Sequence, residues 1–495
     1  MKNLNIYELL DGLKNVSIPR DISDSGLFPT VDVSAITDSS VLFLTDKVGR
    51  ETPPLYASEL SAMPAAIVAS HTREVTGMSC PIIRVDNPRE ALAYALSNAY
   101  SIDYKKTKFI GITGTNGKTT AATLIYQILE HSGYKVGFIG TGSIISSGAL
   151  LTDTTYSMTT PDPTVLYPAI ATMQGDGCDY IVMEVSSHAI ALGKVAPIKF
   201  DYAIFTNLGR DHLDFHGSQD EYFNAKLRLF DNVKRGLFNT DDEYSSKARR
   251  MVKCDVSTFG IINEADAYAT EIDSSSLLGS SFFYRQSNLI FKAKTHLCGA
   301  FNVYNTLAAL RCVIDLGIKP CIAKSALEGV EGISGRMELI DGSVRAVIDY
   351  AHTPEAFYNC IKTLKSLVNT KQKLTVVFGC GGDRDKAKRP LFGKYADEIA
   401  DNIIITEDNC RSESFTSIAE DIAKGIVKSN YLIIAKREDA IRYAFMSSSY
   451  GDLVAIIGKG HEKYKIVGEE YLPFDEREIV YDAMAEWERT HEINT

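Results

Sequence analysis

No stretch of the chain offers the run of about 18 apolar residues that a membrane-crossing helix requires, and no two cysteines are spaced as CxxC. The first absence argues against insertion in a bilayer. The second, with nine cysteines scattered from Cys80 to Cys410 and no tight grouping of Cys with His, argues against a disulfide framework or a structural zinc site and for reduced, cytosolic thiols. Positive charge is not in excess either. Lys and Arg number 52 against 63 Asp and Glu, a net charge of −11, so a nucleic-acid backbone is disfavoured as the main partner. The opening segment carries Glu8, Asp11 and Lys14 where a secretory leader needs its apolar core. A soluble cytoplasmic protein is the expectation. Fixed-period repeats and low-complexity tracts are absent too.

What is present is enough for several cores. At 495 residues and 45% apolar content, a prior of about 150 residues per domain suggests roughly three domains. Residues 1–107 read as short strands and helices, with strands at Val41–Thr45 and Ala65–Ala69, a turn-rich joint at Gly49–Pro54 and a helix at Arg89–Ala99. At Lys108 a sharper unit begins: FIGITG as a strand, GTNGKTT as a glycine-rich turn, AATLIYQILEHSG as a helix and YKVGFIGT as the next strand. Strands are also expected from Asp179 and from Tyr202, both ending in polar residues, as strands do at the ligand crevice of an open parallel sheet. This unit is taken to span 108–337, with a less regular stretch near 260–300. Residues 338–495 repeat one theme four times: RAVIDYAHTP, LTVVFGCGGDRD, NIIITEDNCR and DLVAIIGKGHE each run from an apolar strand into a polar or glycine-rich loop. With helices at Pro354–Leu367 and Phe415–Ile426 between them, they predict a second parallel α/β domain.

Gly114-Thr115-Asn116-Gly117-Lys118-Thr119 joins a predicted strand to a predicted helix. Glycines let backbone N–H groups close around phosphate oxygens, the helix N-terminus adds positive potential, and Lys118 supplies a mobile charge. The hydroxyl of Thr119 or Thr120 can reach Mg²⁺. The strict phosphate-loop pattern fails at its first glycine, where Ile112 stands.

Glu184 ends a strand expected beside the phosphate loop, where a buried carboxylate needs a cation or a base. His188, His212 and His216 lie on loops after strands, alternating with Asp211 and Asp214. The spacing of His212 and His216 is compatible with zinc, but Mg²⁺ beside triphosphate accounts better for the carboxylates. Lys226 lies on the next helix, and spacing alone makes it a surface lysine.

GTNGKTT, TTPDP (159–163), EVSSHAI (184–190), FTNLGRDHLDFHG (205–217), AKLRLF (225–230), FNVYNTLAA (301–309), GRME (335–338), DYAHTPEA (349–356), GCGGDRDKAKRP (379–390) and GKGHE (458–462) together resemble the Mur ligases of bacterial cell-wall synthesis. The resemblance covers about residues 108–480 and is specific in order and spacing. It implies an α/β protein of three domains: an N-terminal UDP-binding domain (1–107), a central phosphate-loop ATPase (108–337) and a C-terminal Rossmann-like domain for the incoming amino acid (338–495). It also implies an ADP-forming ligase that activates a carboxylate as an acyl phosphate and then admits an amine. ATP and Mg²⁺ are the implied cofactors, and a monomer is expected by analogy.

By carry-over, Gly114 to Thr120 hold the nucleotide phosphates, Asn302 and Asn305 contact the nucleotide, Arg336 its phosphates and Asp349 the ribose, with His352 nearby. Thr119, Glu184, His212 and Lys226 are the expected metal set, Lys226 as a carbamate (N6-carboxylysine), and Lys118, His212 and Lys226 the catalytic group. Ser39, Thr159, Thr160, Ser186, Leu192 and Lys194 stand where the family meets its UDP-muramoyl substrate. Ser39 lies in Asp38-Ser39-Ser40, where the family has Asp-Ser-Arg. Leu192 and Lys194 replace glutamine and arginine, which leaves room for a modified precursor. The branch most resembled extends UDP-N-acetylmuramoyl-L-Ala-D-Glu, using meso-diaminopimelate where an Asp-Asn-Pro-Arg motif is present and L-lysine where its arginine is missing. A literal DNPR at Asp86–Arg89 sits in the wrong domain and reads as structural. The positional equivalent is Asp408-Asn409-Cys410-Arg411. Proline has become cysteine, but the arginine remains, and a guanidinium suits the second terminal carboxylate of diaminopimelate. Arg384, Gly458 and Glu462 are its expected companions. A folylpolyglutamate-type ligase is disfavoured by GCGGDRD, DNCR and GKGHE, and a non-catalytic nucleotide-binding module by the joint presence of Lys118, Glu184, His212 and Lys226.

Overall fold

A computed structural model describes the chain at every residue except 1, 3, 20–21, 23–25, 46–52, 153–157, 429–430, 469 and 492–495. The Gly49–Thr52 part of the expected joint therefore lies outside the described residues. Three sheets follow one another along the chain. The first contains Phe28–Thr30, Ser40–Phe43, Ala66–Ser70 and Ile82–Val85, paired in chain order and all parallel. Its inner strands are apolar but for a serine at one end of each, Ser40 and Ser70, because both faces are covered. The helix Pro88–Ala99 begins where the Asn87 side chain accepts the N–H groups of Arg89 and Glu90 and Pro88 takes the first turn. The DNPR segment is thus a helix start, as its structural reading expects. Leu92 and Leu96 of that helix share one apolar cluster with Tyr167 and Ile170 of the helix Pro163–Gly175, so the first unit and the second are packed through a common core.

The second sheet has eleven strands. Lys108–Thr113 runs at its centre between Tyr180–Glu184 and Phe200–Phe205, with Ile112 opposite both Glu184 and Ile204. Val136–Gly140, Val233–Asn239 and Asp255–Gly260 extend the parallel array. Parallel pairing places all these carboxyl ends on one rim. The stretch near 260–300 departs from expectation. It is an antiparallel meander of Ala267–Ser276, Gly279–Gln286 and Leu289–Thr295, with register shifts between Thr270 and Ser276. Phe282 and Tyr284 point inward toward Val303 and Leu307 of the helix Ala300–Asp315. Apolar Tyr268 and Ile290 on the exposed face and polar Ser280 and Thr295 on the buried one blur the period of two in sequence.

In the third sheet the order is Glu338–Ile340, Arg345–Asp349, Leu453–Ile457, Leu374–Phe378, Asn402–Ile405 and Tyr431–Ile433, parallel after the first strand. Insertion of the last long strand between two earlier ones brings the loops after Asp349, Phe378, Ile405 and Ile457 to one edge. Among the described residues no helix is long and apolar enough to cross a membrane.

The loops at that edge are tied from below by Arg389, whose side chain is 1% exposed. Its guanidinium donates to Glu413 at 2.8 and 3.0 Å and to Asp421 at 3.0 Å, and Glu413 in turn accepts the N–H of Asp383 at 2.6 Å. The Arg389 bonds hold the Glu413 carboxyl down at about 2 against an ordinary 4.5. A carboxyl lowered on folding adds stability above its unfolded value and loses it as pH falls toward the folded one. Glu413→Gln should therefore cost about 3 kcal/mol near neutrality. The gap from the parent should close as pH drops from about 4.5 toward about 2, as read by urea unfolding across that range.

Candidate active site

A cavity of about 920 Å³ opens where the rims of the second and third sheets face each other. The phosphate loop forms its floor. Ile112 is still inside the strand and fully buried, which explains why no glycine is needed there: the turn starts at Gly114. A Cβ on Gly114 would lie 1.8 Å from the Thr206 hydroxyl, and one on Gly117 would lie 2.2 Å from Asn305 Oδ1. Both glycines also have positive φ, 145° and 84°, so the loop is glycine by space and by backbone. It is clamped by Thr206 Oγ1 and Asn207 Nδ2, which donate to the Asn116 carbonyl at 2.7 and 3.1 Å. The helix Lys118–His131 begins here with no acidic residue in its first turn, leaving its N-terminal N–H groups available to an anion.

Lys118 Nζ donates to the carbonyls of Gly114 and Thr115, both at 2.9 Å. Lys226, 1% exposed, donates to the same Gly114 carbonyl at 2.8 Å and lies over the Tyr222 ring. Burial, and then the neighbouring Lys118 charge, push the Lys226 amine well below its ordinary value. The sequence default of a surface lysine is overturned. Glu184 is fully buried. It accepts from Thr119 Oγ1 at 2.9 Å and from the Thr141 N–H at 2.8 Å. Arg336 Nη2 donates to Thr119 Oγ1 at 2.9 Å, while its buried Nε has no partner. An orphaned guanidinium donor facing the loop fits an anionic ligand.

The histidine rings cluster, His188 lying 4.7 Å from His212 and 5.6 Å from His216 between centroids, but their polar partners differ. His212 lines the cavity, sits at φ 52° and places Nε2 3.2 Å from Asp211. Burial pushes its imidazole down to about 2, so it is neutral at physiological pH and free to ligate a cation. His216 turns instead to Ser187 Oγ at 3.0 Å, and His188 packs on Phe215. The two ends of the His-x-x-x-His pattern therefore have different partners, and a shared zinc ion finds no support. Among the described residues no three His, Cys, Asp or Glu side chains close on one point. A cation here would complete its shell with phosphate oxygens and water, as Mg²⁺ does.

Asn302 and Asn305 both line the cavity and are buried. Asn302 lies in the first turn of its helix, which Gly299 caps, and is bonded to the Cys298 carbonyl and to Asn305. Asp349 accepts the N–H groups of Met337 and Ala351 at 2.7 and 2.8 Å. His352 places Nε2 3.7 Å from Asp211, and Thr353 Oγ1 donates to Asn116 Oδ1 at 3.2 Å.

At the other end of the cavity stand Arg384, Asp408, Asn409, Arg411, Gly458 and Glu462. Gly382 donates to the Asn409 carbonyl at 2.9 Å, and its Cβ would fall 1.8 Å from the Cys410 carbonyl. GCGGDRD and DNCR thus pack backbone on backbone. Arg411, at φ 52°, donates to the Gly382 carbonyl at 2.8 Å. Burial and the neighbouring Arg384 charge lower its ordinary value, an electropositive corner suited to a carboxylate. Cys410 lies outside the cavity lining.

Thr159 and Ser186 also line the cavity. Thr160 lies behind it, donating to the Glu184 carbonyl at 2.9 Å. Ser39, Leu192 and Lys194 are not brought to the cavity. Ser39 bonds Asp38, the Leu192 carbonyl accepts from Asn87, and Lys194 pairs with Asp162 at 2.8 Å. Two participants escaped the sequence reading, Thr141 and Tyr350, whereas Asp211 was already marked beside the histidines. Thr141 and Tyr350 each follow a strand end, the one signal available, but an isolated Thr or Tyr in a loop is too common to single out.

Comparison with known proteins agrees with this geometry. The Mur ligase middle domain matches residues 112–313 and the Mur ligase, glutamate ligase domain matches residues 335–460. The chain is 38% identical to UDP-N-acetylmuramoyl-L-alanyl-D-glutamate--2,6-diaminopimelate ligase 1 of Clostridium acetobutylicum over 97% of each. It is 42% identical to the Clostridium perfringens ligase of the same name, over 81% of this chain and 84% of that one. A solved structure of a UDP-N-acetylmuramoyl-L-alanyl-D-glutamate--2,6-diaminopimelate ligase is 28% identical with a TM-score of 0.64, covering 98% of this chain and 99% of the other. With a relative this similar along nearly its whole length, the chain belongs to the Mur ligase family.

Proposed function

We infer that the enzyme uses ATP to join meso-diaminopimelate to the D-glutamate side-chain carboxylate of UDP-N-acetylmuramoyl-L-Ala-D-Glu. The observation that carries this reading is that the phosphate loop and the Arg384, Asn409, Arg411 and Glu462 cluster line one cavity. A phosphoryl donor and an acceptor amine can therefore meet there. A carboxylate resists attack by an amine until one oxygen becomes a phosphate leaving group. Lys118, the loop N–H groups and Arg336 are placed to offset charge on the transferred phosphoryl. Mg²⁺, which Thr119, Glu184 and His212 fit, would supply further neutralisation between phosphate oxygens. Lys226 fits carbamoylation: a buried amine kept neutral can bond to the carbon of CO₂ and release a proton, turning an uncharged group into an anion. Arg411 is assigned the distal carboxylate of the acceptor and Glu462 its distal ammonium.

L-Lysine is the second reading for the acceptor, but the presence of Arg411 at the cavity wall favours the diacid. The departures at Ser40, Leu192 and Lys194 bear on the muramoyl end alone. Phosphate release by the purified enzyme, given ATP and UDP-N-acetylmuramoyl-L-Ala-D-Glu, should require meso-diaminopimelate and be weak with L-lysine; the reverse preference would reject the assignment. Arg411→Ala should lower kcat/KM for diaminopimelate by roughly 30-fold or more while the KM for ATP stays within about twofold. Equal effects on both would remove Arg411 from acceptor binding. Lys226→Ala should lose about 100-fold or more of its turnover and regain part of it with added short-chain carboxylates. Full turnover without them would defeat the carbamate.

A further inference from the structure

Lys459, in the middle of GKGHE, is 1% exposed and is not among the residues lining the cavity. The backbone on either side explains how a lysine comes to point inward. Gly458 and Gly460 have φ of 125° and 56°, and a Cβ on Gly460 would lie 2.8 Å from the Gly335 carbonyl. The chain is turned so that residue 459 faces the interior. There its Nζ meets Asn409 Oδ1 at 3.0 Å and Glu462 Oε2 at 3.1 Å, with Asp408 Oδ1 at 3.8 Å. The rings of Tyr464 and Phe474 lie 5.8 and 5.7 Å away.

This contact settles how two cavity groups present themselves. Asn409 Oδ1 accepts from Lys459 and from the Ile466 N–H at 2.9 Å, which leaves its Nδ2 to donate to Glu462 Oε2 at 2.9 Å. Glu462 Oε2 is thus doubly occupied on the protein side. Its Oε1 has only the Tyr350 hydroxyl at 3.3 Å and keeps capacity for a donor from the cavity. Lys459 is also the buried cation that meets both Asp408 and Glu462. Without it their charges would face only Arg411 and Arg437, a wall that holds a lone ammonium better and a second carboxylate worse than the parent does.

We propose that Lys459 is a positioning residue of the acceptor pocket: it fixes the Asn409 amide and the Glu462 carboxylate from behind, and by balancing Asp408 and Glu462 it makes the pocket prefer a zwitterionic amino-acid end over a plain amine. The proposal rests on the acceptor assignment above and assigns that preference to a group that never touches the substrate.

The test is steady-state phosphate release with meso-diaminopimelate and with L-lysine, for the parent and for Lys459→Met, Lys459→Gln and Lys459→Arg, each checked by thermal melting. Lys459→Met should raise the KM for diaminopimelate about tenfold, leave the KM for ATP within about twofold, and reduce the diaminopimelate-to-lysine ratio of kcat/KM about tenfold. Lys459→Gln keeps a donor but no charge; it should fold should the Met variant not, and show the same fall in ratio. Lys459→Arg keeps the charge and should keep most of the ratio. A merely structural lysine would lower melting temperature and all rates together while the ratio stayed at the parent value, and that result would overturn the proposal. Absence of diaminopimelate-dependent phosphate release in the parent itself would instead overturn the acceptor assignment, and this proposal with it.

Discussion

The carboxylate of Glu184 sets the terms for the centre of the molecule. A fully buried anion is costly unless it is bonded on its accessible sides, and here every contact serves the phosphate loop or its surroundings. Thr119 belongs to the loop helix, Thr141 to the turn after the next strand, and Thr160 holds the Glu184 backbone from behind. These residues can meet only because Lys108–Thr113 is flanked by Tyr180–Glu184 in parallel register. A parallel sheet gathers strand ends from distant parts of the chain onto one rim, and the buried acid gives that rim a negative charge beside the phosphate loop.

The C-terminal sheet solves a different problem by similar means. Its GCGGDRD and DNCR loops approach one another closely through glycines: a Cβ at Gly379 would fall 2.2 Å from the Thr406 carbonyl, as Gly382 meets Cys410. Below them two fully buried arginines act as ties. Arg389 holds the GCGGDRD and DNCR loops through Glu413. Arg437, paired with Glu476, donates to the carbonyls of Glu407 and Ile457, the residues just before DNCR and GKGHE. Buried ion pairs contribute little net stability relative to apolar packing. Here they fix the spacing between loops that carry opposite charges into one pocket.

Much of this was legible in the sequence because the signals are local. GTNGKTT between a strand and a helix needs only its own residues to be read, and four strand-to-loop segments announce a parallel domain by repetition. What stayed hidden depends on contacts between distant positions. Nothing around Lys226 distinguishes it from a surface lysine; its burial comes from packing against a loop 112 residues away. Lys459 carries no local signal of its burial, which depends on Asn409, 50 residues away. The meander at 267–295 is hidden for another reason: exposed Tyr268 and Ile290, buried Ser280 and Thr295 and two register shifts break the period of two. At Lys194 the substitution itself was plain in the sequence, but its pairing with Asp162 was not.

The same distant contacts decide how independent the two halves of the cavity are. Arg336 lies in the segment that joins the second sheet to the third, stacks over Tyr350 and donates to Thr119 of the phosphate loop. Next to it, Gly335 has φ 66°, and a Cβ there would lie 2.2 Å from the His461 N–H. The joining segment is therefore packed against GKGHE on one side and bonded to the nucleotide loop on the other. Thr353 to Asn116 and His352 to Asp211 add further bridges. With so many polar groups of one domain satisfied by the other, the phosphate loop and the loops of the third sheet form one polar network. A side chain added at Gly335 would press on the GKGHE turn, one residue away from the Arg336 that bonds Thr119.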